Sequence, residues 1–213
     1  MKKVSNSIKP RTILVLLCLV SACHFFVSNV SAQGIVFPAG FDTALASSET
    51  TSLYYYSEPG DFIGQGQEAF FTPADGTIFI NSNFDNGVSI FTPGFTTSLG
   101  LDFAAPLNAQ LTTGLFENAT RFPFQAASVP GLNVSGDGRG SNTLTGQFEI
   151  LEIDFDAAGS PIVFDAIFEQ HSEGADPALF GRIRVNTSAV PEPSGIAVSM
   201  LCLILPCVRR RRN

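Results

Sequence analysis

The sequence predicts an all-β domain, an antiparallel β-sandwich or jelly roll, set between two apolar terminal segments. Three observations carry this. Apolar residues recur with a period of two: Leu99, Leu101 and Phe103 alternate with Gly100 and Asp102, and Phe164, Ala166 and Phe168 alternate as well. Such runs mark strands with one buried face. Turn signals fall between them, among them Glu58-Pro59-Gly60-Asp61, Ala74-Asp75-Gly76, Asp85-Asn86-Gly87, Gly136-Asp137-Gly138 and Ala157-Ala158-Gly159-Ser160, at the roughly ten-residue spacing of a sandwich. No stretch joins helical periodicity to caps, which argues against a parallel α/β sheet.

The expected strands lie near residues 52–57, 67–72, 76–81, 87–92, 98–104, 113–119, 143–156, 161–171 and 179–186. The arms from Asn142 and from Pro161 form one long hairpin, expected at the centre of the sheet. In its first arm Phe148 and Ile150 share one parity, while Leu151, Ile153 and Phe155 take the other. Either both faces are buried there, or a bulge near Ile150 shifts the phase.

The first 32 residues read as a secretory signal. Lys2, Lys3, Lys9 and Arg11 form a basic start, an apolar run follows from Ile13, and Val30-Ser31-Ala32 supplies small residues before a cut. Signal peptidase would cut between Ala32 and Gln33. A rival cut is Val20-Ser21-Ala22-Cys23, a lipobox-like run in which Cys23 would be lipidated. At the other end, Val190-Pro191-Glu192-Pro193-Ser194 precedes an apolar segment, residues 195–208, and then Arg209, Arg210, Arg211, Arg212 and Asn213. As a helix that segment is about 21 Å long at ~1.5 Å per residue, short for a bilayer core of about 30 Å. The four Arg would hold the end in the cytoplasm and leave the body on the far side. The division is therefore 1–32 signal peptide, 33–186 ectodomain, 187–194 linker with the motif, 195–208 transmembrane helix and 209–213 cytoplasmic tail.

Removing the ends changes the composition. The whole chain of 213 residues carries −7, whereas residues 33–189 hold 18 acidic and 4 basic residues, a balance of −14. This region has no Lys, Met or Cys but 18 of the 20 Phe. The acidity argues against a nucleic-acid partner. A secreted domain of this size folds on its core without staples, and the Phe side chains supply that core.

The C-terminal arrangement resembles the bacterial PEP-CTERM sorting tail, through Pro191-Glu192-Pro193, the apolar segment and the Arg cluster in that order. The resemblance implies recognition and cleavage by an exosortase. It also implies transient anchoring in the inner membrane of a Gram-negative-type bacterium, and a surface or matrix destination with exopolysaccharide. Pro191 and Pro193 suit an extended recognition segment that cannot join the following helix. The region 54–186 resembles an uncharacterised β-domain of bacterial secreted proteins. The residues that carry this include Glu58-Pro59-Gly60-Asp61-Phe62, Thr120-Arg121-Phe122-Pro123-Phe124-Gln125, Gly138-Arg139-Gly140-Ser141-Asn142 and Phe168-Glu169-Gln170-His171-Ser172. That resemblance brings no activity. Relatives often carry Cys where this chain has Ser141 and Ser172, which implies a lost disulfide with the two serines side by side. Simple hairpin register leaves them out of step, so a bend near Ser141 is required.

Candidate chemistry in the ectodomain is sparse, and the reading is not an enzyme. His171 is its only His and is read as a structural hydrogen-bond partner beside Gln170 and Glu173. Arg121 and Arg139, set among apolar residues and glycines, are each expected to meet a buried or half-buried carboxylate. Calcium takes carboxylate and carbonyl oxygens, and Asn81-Ser82-Asn83-Phe84-Asp85-Asn86-Gly87 looks like half of a calcium loop with its Gly one place late. Asp154 and Asp156 are a second candidate pair. Glu149, Glu152 and Asp154 raise a glycosidase reading, with solvated strand charge as the simpler account. Tyr54-Tyr55-Tyr56 suits sugar stacking or packing. The sequons at Asn118, Asn133 and Asn186 are read as silent. The expected function is a non-catalytic exported surface or matrix protein. The alternatives are a carbohydrate-binding module and, further off, a calcium-binding adhesion domain.

Overall fold

The computed structural model describes residues 34–188. The signal segment with Cys23, Ala32 and Gln33, the motif from Val190 to Ser194, the apolar segment 195–208 and Arg209 to Arg212 lie outside the described residues. The described residues form ten strands: β1 Ser52–Ser57, β2 Glu68–Phe71, β3 Phe79–Ser82, β4 Val88–Phe91, β5 Leu99–Ala104, β6 Gly114–Arg121, β7 Gly131–Gly136, β8 Leu144–Phe155, β9 Pro161–Ser172 and β10 Ala178–Val185. Among the described residues the only helical pieces are two single 3-10 turns, Leu45–Ser47 and Pro106–Asn108.

The described residues are nearly all β, as their alternation predicts. The strands do not form two separate sheets. They bond into one sheet in the order β2-β1-β10-β9-β8-β6-β7-β5-β4-β3, antiparallel at every pair except β6–β7. The sheet stays continuous because β6 pairs with β8 along its length and with β7 only through Thr120↔Gly131 and Arg121↔Leu132. The sheet then curls over one core. Phe103 of β5 lies 5.3 Å from Phe148 of β8 and 5.4 Å from Phe164 of β9, ring to ring. At the far ends, Phe71 of β2 stacks at 4.6 Å on Phe95, which follows β4. Gly181 of β10 faces Phe168 of β9, and a Cβ there would meet the ring at 2.3 Å. The bare backbone lets the aromatic lie flat across it.

β7 escaped the sequence reading. Gly131-Leu132-Asn133-Val134-Ser135-Gly136 has only two apolar side chains and two glycines, a weak period-two signal. Past Leu132 its backbone has no strand partner on the β6 side. Gln170 of β9, fully buried, substitutes: its Oε1 accepts from Val134 N–H at 2.7 Å and its Nε2 donates to Val134 C=O at 2.9 Å. One side-chain amide thus satisfies both backbone groups, which would be costly to leave unpaired.

The long hairpin contains the phase shift. The β8–β9 register slips between Ile150 and Glu152, so Leu151 is extra and lies exposed. Phe148 and Ile150 face the main core on one side of the slip, and Ile153 packs against it on the other.

β10 is buried on both faces. Leu179, Ile183 and Val185 point into the main core, while Ala178 and Phe180 join a second cluster with Tyr54, Ile167, Phe41 and Ile35. The N-terminal stretch supplies that cover, with Phe37 stacked at 3.9 Å on Phe41 and Phe41 edge-on to Tyr54 at 4.9 Å. Beneath it, Asp165 binds Arg182 through both oxygens, at 2.8 and 2.7 Å, and reaches Arg184 Nε at 3.2 Å. Arg184 is only 2% exposed, and its remaining donors go to the carbonyls of Ser47, Glu49 and Ser188. This pair of arginines fastens the cover to the sheet.

Candidate functional site

A polar concavity with a titratable cluster lies on the outer face of β6, β8 and β9. It arises from a bulge. Phe116 pairs with Phe148 and Ala119 with Gly146, so Glu117 and Asn118 together stand opposite Gln147 alone. Asn118 takes the left-handed conformation, φ 57°, which Asn tolerates better than most residues. Such bulges re-aim side chains. The result is a cleft of about 220 Å³ lined by Glu117, Asn118, Gly146, Gln147, Glu169 and His171. Gly146 has no room for a side chain, since a Cβ there would meet the Glu169 carbonyl oxygen at 2.3 Å and the Leu132 side chain at 3.0 Å.

Within the cleft Glu169 is shared. Gln147 Nε2 donates to Glu169 Oε2 at 2.6 Å, and His171 Nε2 lies 3.0 Å from Glu169 Oε1. His171 Nδ1 faces the Asp176 carbonyl at 2.8 Å. Gln170 points the other way, and Glu173 binds Asn142 N–H and Thr143 Oγ1. The sequence neighbours named for His171 are therefore not its partners. Glu169, two residues away on the same strand face, is, as strand periodicity requires.

Both nitrogens of His171 face acceptors, so the doubly protonated ring satisfies both. Burial works to lower its pKa. The hydrogen bond and charge of Glu169, aided by the Asp176 and Ala175 carbonyls, outweigh it and hold the pKa above the ordinary 6.5. A raised folded-state value means that the stabilisation is complete below the unfolded pKa and fades as pH rises through the folded one. The Tm difference between wild type and His171→Gln is therefore expected to be larger at about pH 5.5 than at about pH 8.5. Thermal scans at both values check this, and equal differences would contradict it.

The arginines part company with expectation. Arg121 meets no carboxylate among the described residues. Its Nη1 donates to the Asn142 carbonyl at 3.1 Å, and its guanidinium lies 4.8 Å over the Phe124 ring. Arg139 donates from Nε to the Ile63 carbonyl at 2.9 Å and sits 3.6 Å from the partly exposed Asp137 carboxylate. Both brace loops.

The calcium candidates are likewise engaged by the protein. Asn83 Oδ1 accepts from Asp85 N–H and Gly87 N–H, and Asp85 Oδ2 accepts from Gln125 Nε2 at 2.7 Å. Asp156 Oδ1 accepts from Ala158 and Ser160 N–H and closes the β8–β9 turn. Among the described residues no group of three or more His, Cys, Asp or Glu is placed to hold a metal.

Of the tyrosines, Tyr54 and Tyr55 are buried on opposite faces of β1. Tyr54 OH donates to Glu68 at 2.8 Å and accepts from Asp42 N–H at 2.9 Å, and burial pushes its phenol up to about 12. The run packs the protein and leaves no paired sugar platform.

The chain bends at Asn142 and Thr143 before entering β8, and Ser141 Oγ donates to Ser172 Oγ at 2.8 Å, both buried. Replacing both serines by Cys is expected to close a disulfide and raise stability by about 3–4 kcal/mol for a loop of this length. Denaturant melts with and without reductant measure it. Failure to form the bond under oxidising conditions would contradict the side-by-side geometry.

The fold and the cleft define an all-β roll with a small acidic, histidine-containing surface site. No protein-family model, curated protein or solved structure matches the chain.

Proposed function

We propose that the chain is a non-catalytic exported protein of the cell surface or extracellular matrix, associated with exopolysaccharide. An exosortase cuts it at the motif Val190 to Ser194 after signal peptidase has removed residues 1–32. The observation that carries this reading is the order of three parts at the C-terminus: Pro191-Glu192-Pro193, an apolar segment and four Arg. The fold supports it physically. All ten strands of the described residues precede the motif, and Thr187 and Ser188 still bond to Thr50 and Glu152. A cut at the motif therefore removes no strand from the roll, whose two halves enclose one core in the manner of a sandwich.

The test is fractionation of a producing host that carries an exosortase. Wild type is expected outside the inner membrane. The triple substitution Pro191→Ala, Glu192→Ala, Pro193→Ala is expected to remain in that membrane. Unchanged release of the variant would overturn the reading.

A second reading, a carbohydrate-binding module, is favoured by the bulge cleft, where Glu117, Asn118 and Gln147 present side chains suited to sugar hydroxyls. Saturable binding on a glycan array, lost in Glu117→Gln, would select it.

A further inference from the structure

The first described residue lies against a carboxylate. Ile35 is buried in the second apolar cluster and fixes where the N-terminal cover begins. Just before it, Gly34 sits so close to Glu149 that a Cβ there would meet Glu149 Oε2 at 2.9 Å. Glu149 stands on the outer face of β8, directly across from Leu115 of β6 and Ile167 of β9. Those two side chains belong to the same apolar cluster. The carboxylate is thus half-buried between apolar neighbours and the incoming chain.

A charge in that setting calls for a partner. Residues 33–189 hold no Lys and four Arg. All four are engaged elsewhere: Arg121 by the Asn142 carbonyl and the Phe124 ring, Arg139 by the Ile63 carbonyl and Asp137, and Arg182 and Arg184 by Asp165. His171 is held by Glu169. Among the described residues no cationic side chain pairs with Glu149.

The chain itself can supply the charge. In the precursor the nitrogen of residue 33 is an amide. A cut between Ala32 and Gln33 turns it into an α-ammonium. One residue spans at most about 3.6 Å, so this nitrogen comes within reach of the carboxylate that adjoins Gly34.

We propose that Glu149 is the docking site of the mature N-terminus: the ammonium of Gln33 pairs with it and fastens the leading end of the cover to β8. The proposal rests on the signal-peptide reading of residues 1–32. The precursor lacks the charge, so the clasp closes only on processing. A chemical consequence follows, because an N-terminal Gln with a free amine cyclises. Its nitrogen attacks the side-chain amide carbon, the N–Cδ bond forms, the bond from Cδ to the amide nitrogen breaks, and ammonia leaves. A protonated amine has no lone pair for that attack, and a facing carboxylate favours the protonated form. Glu149 therefore keeps Gln33 open.

The test uses the full chain of 213 residues in a non-ionic detergent, cut in vitro by signal peptidase and held at about pH 8, near the ordinary pKa of an α-amine. Mass spectrometry reads the first residue and the loss of one ammonia. Glu149→Gln is expected to cyclise about fivefold faster than wild type, the factor set by a favourable ion pair at the surface. Asp176→Asn removes an exposed carboxylate between β9 and β10 and is expected to cyclise at the wild-type rate. Thermal scans give a second readout: the Tm lead of wild type over Glu149→Gln is expected to grow by about 2–4 °C once the chain is cut. Equal cyclisation rates, or a Tm lead that the cut leaves unchanged, overturn the proposal alone. A product that begins at another residue overturns the reading of residues 1–32 and the proposal with it.

Discussion

Asp165→Ala is expected to destabilise the protein by about 3–5 kcal/mol, the cost of breaking a buried ion pair by removing one partner. The carboxylate serves two guanidinium groups at once. Arg182 meets it through two bonds and Arg184 through one, and Arg184 is almost wholly enclosed. Without Asp165 two cations remain under the N-terminal cover with only Ser47 Oγ and main-chain carbonyls to face them. The cover itself is then expected to loosen, because Arg182 and Arg184 are its fasteners at Ser47 and Glu49. Urea unfolding gives the loss, and hydrogen exchange at Ala46 and Ser47 locates it. A loss below about 1 kcal/mol, the range of exposed pairs, would contradict the account of the cluster.

Phe103→Ala is expected to cost about 3–5 kcal/mol, the usual range for emptying a buried aromatic site. Phe103 is fully buried and meets the rings of Phe148, Phe164 and Phe168 from the opposite half of the curl. Its contacts are what close the sheet over itself, so the void has rigid walls on both sides and little means of collapsing. Phe84, 73% exposed, is the matched control: Phe84→Ala is expected to change stability by no more than about 0.5 kcal/mol. Urea melts of the two variants decide it, and comparable losses would contradict the placement of the core.

The strand pattern was legible because alternation is a property of the residues themselves. Leu99-Gly100-Leu101-Asp102-Phe103 can bury only one face, and β5 does so. The slip at Leu151 was legible as a change of parity. The closure of the sheet was not, since it depends on β6 being shared between β8 and β7, and nothing local marks a strand that changes partners. β7 was hidden by its glycines and by a polar partner, Gln170, that no apolar pattern announces. The charged cluster was hidden for a related reason. Asp165, Arg182 and Arg184 occupy outward positions of half-buried strands, where solvent is the natural assumption. They are enclosed where Ser47, Glu49 and Ser188, which carry no strand signal, close around them.

The site shows the same division. His171 was visible as a lone titratable group, but its partner Glu169 follows from strand facing rather than adjacency. The cleft depends on the two-against-one bulge at Glu117 and Asn118, which the sequence marks only by a charged and an amide residue interrupting Leu115-Phe116 and Ala119. The nearness of Ser141 and Ser172 required a bend whose position the hairpin register alone did not supply.

The central claim concerns what happens to the ends of the chain, and intact mass measurement of the protein recovered from outside its host tests it most directly. The account predicts a chain that begins at Gln33, ends at or beside the Val190 to Ser194 motif and lacks the apolar segment and all four terminal Arg. A recovered protein that retains its sequence through Asn213 would contradict it.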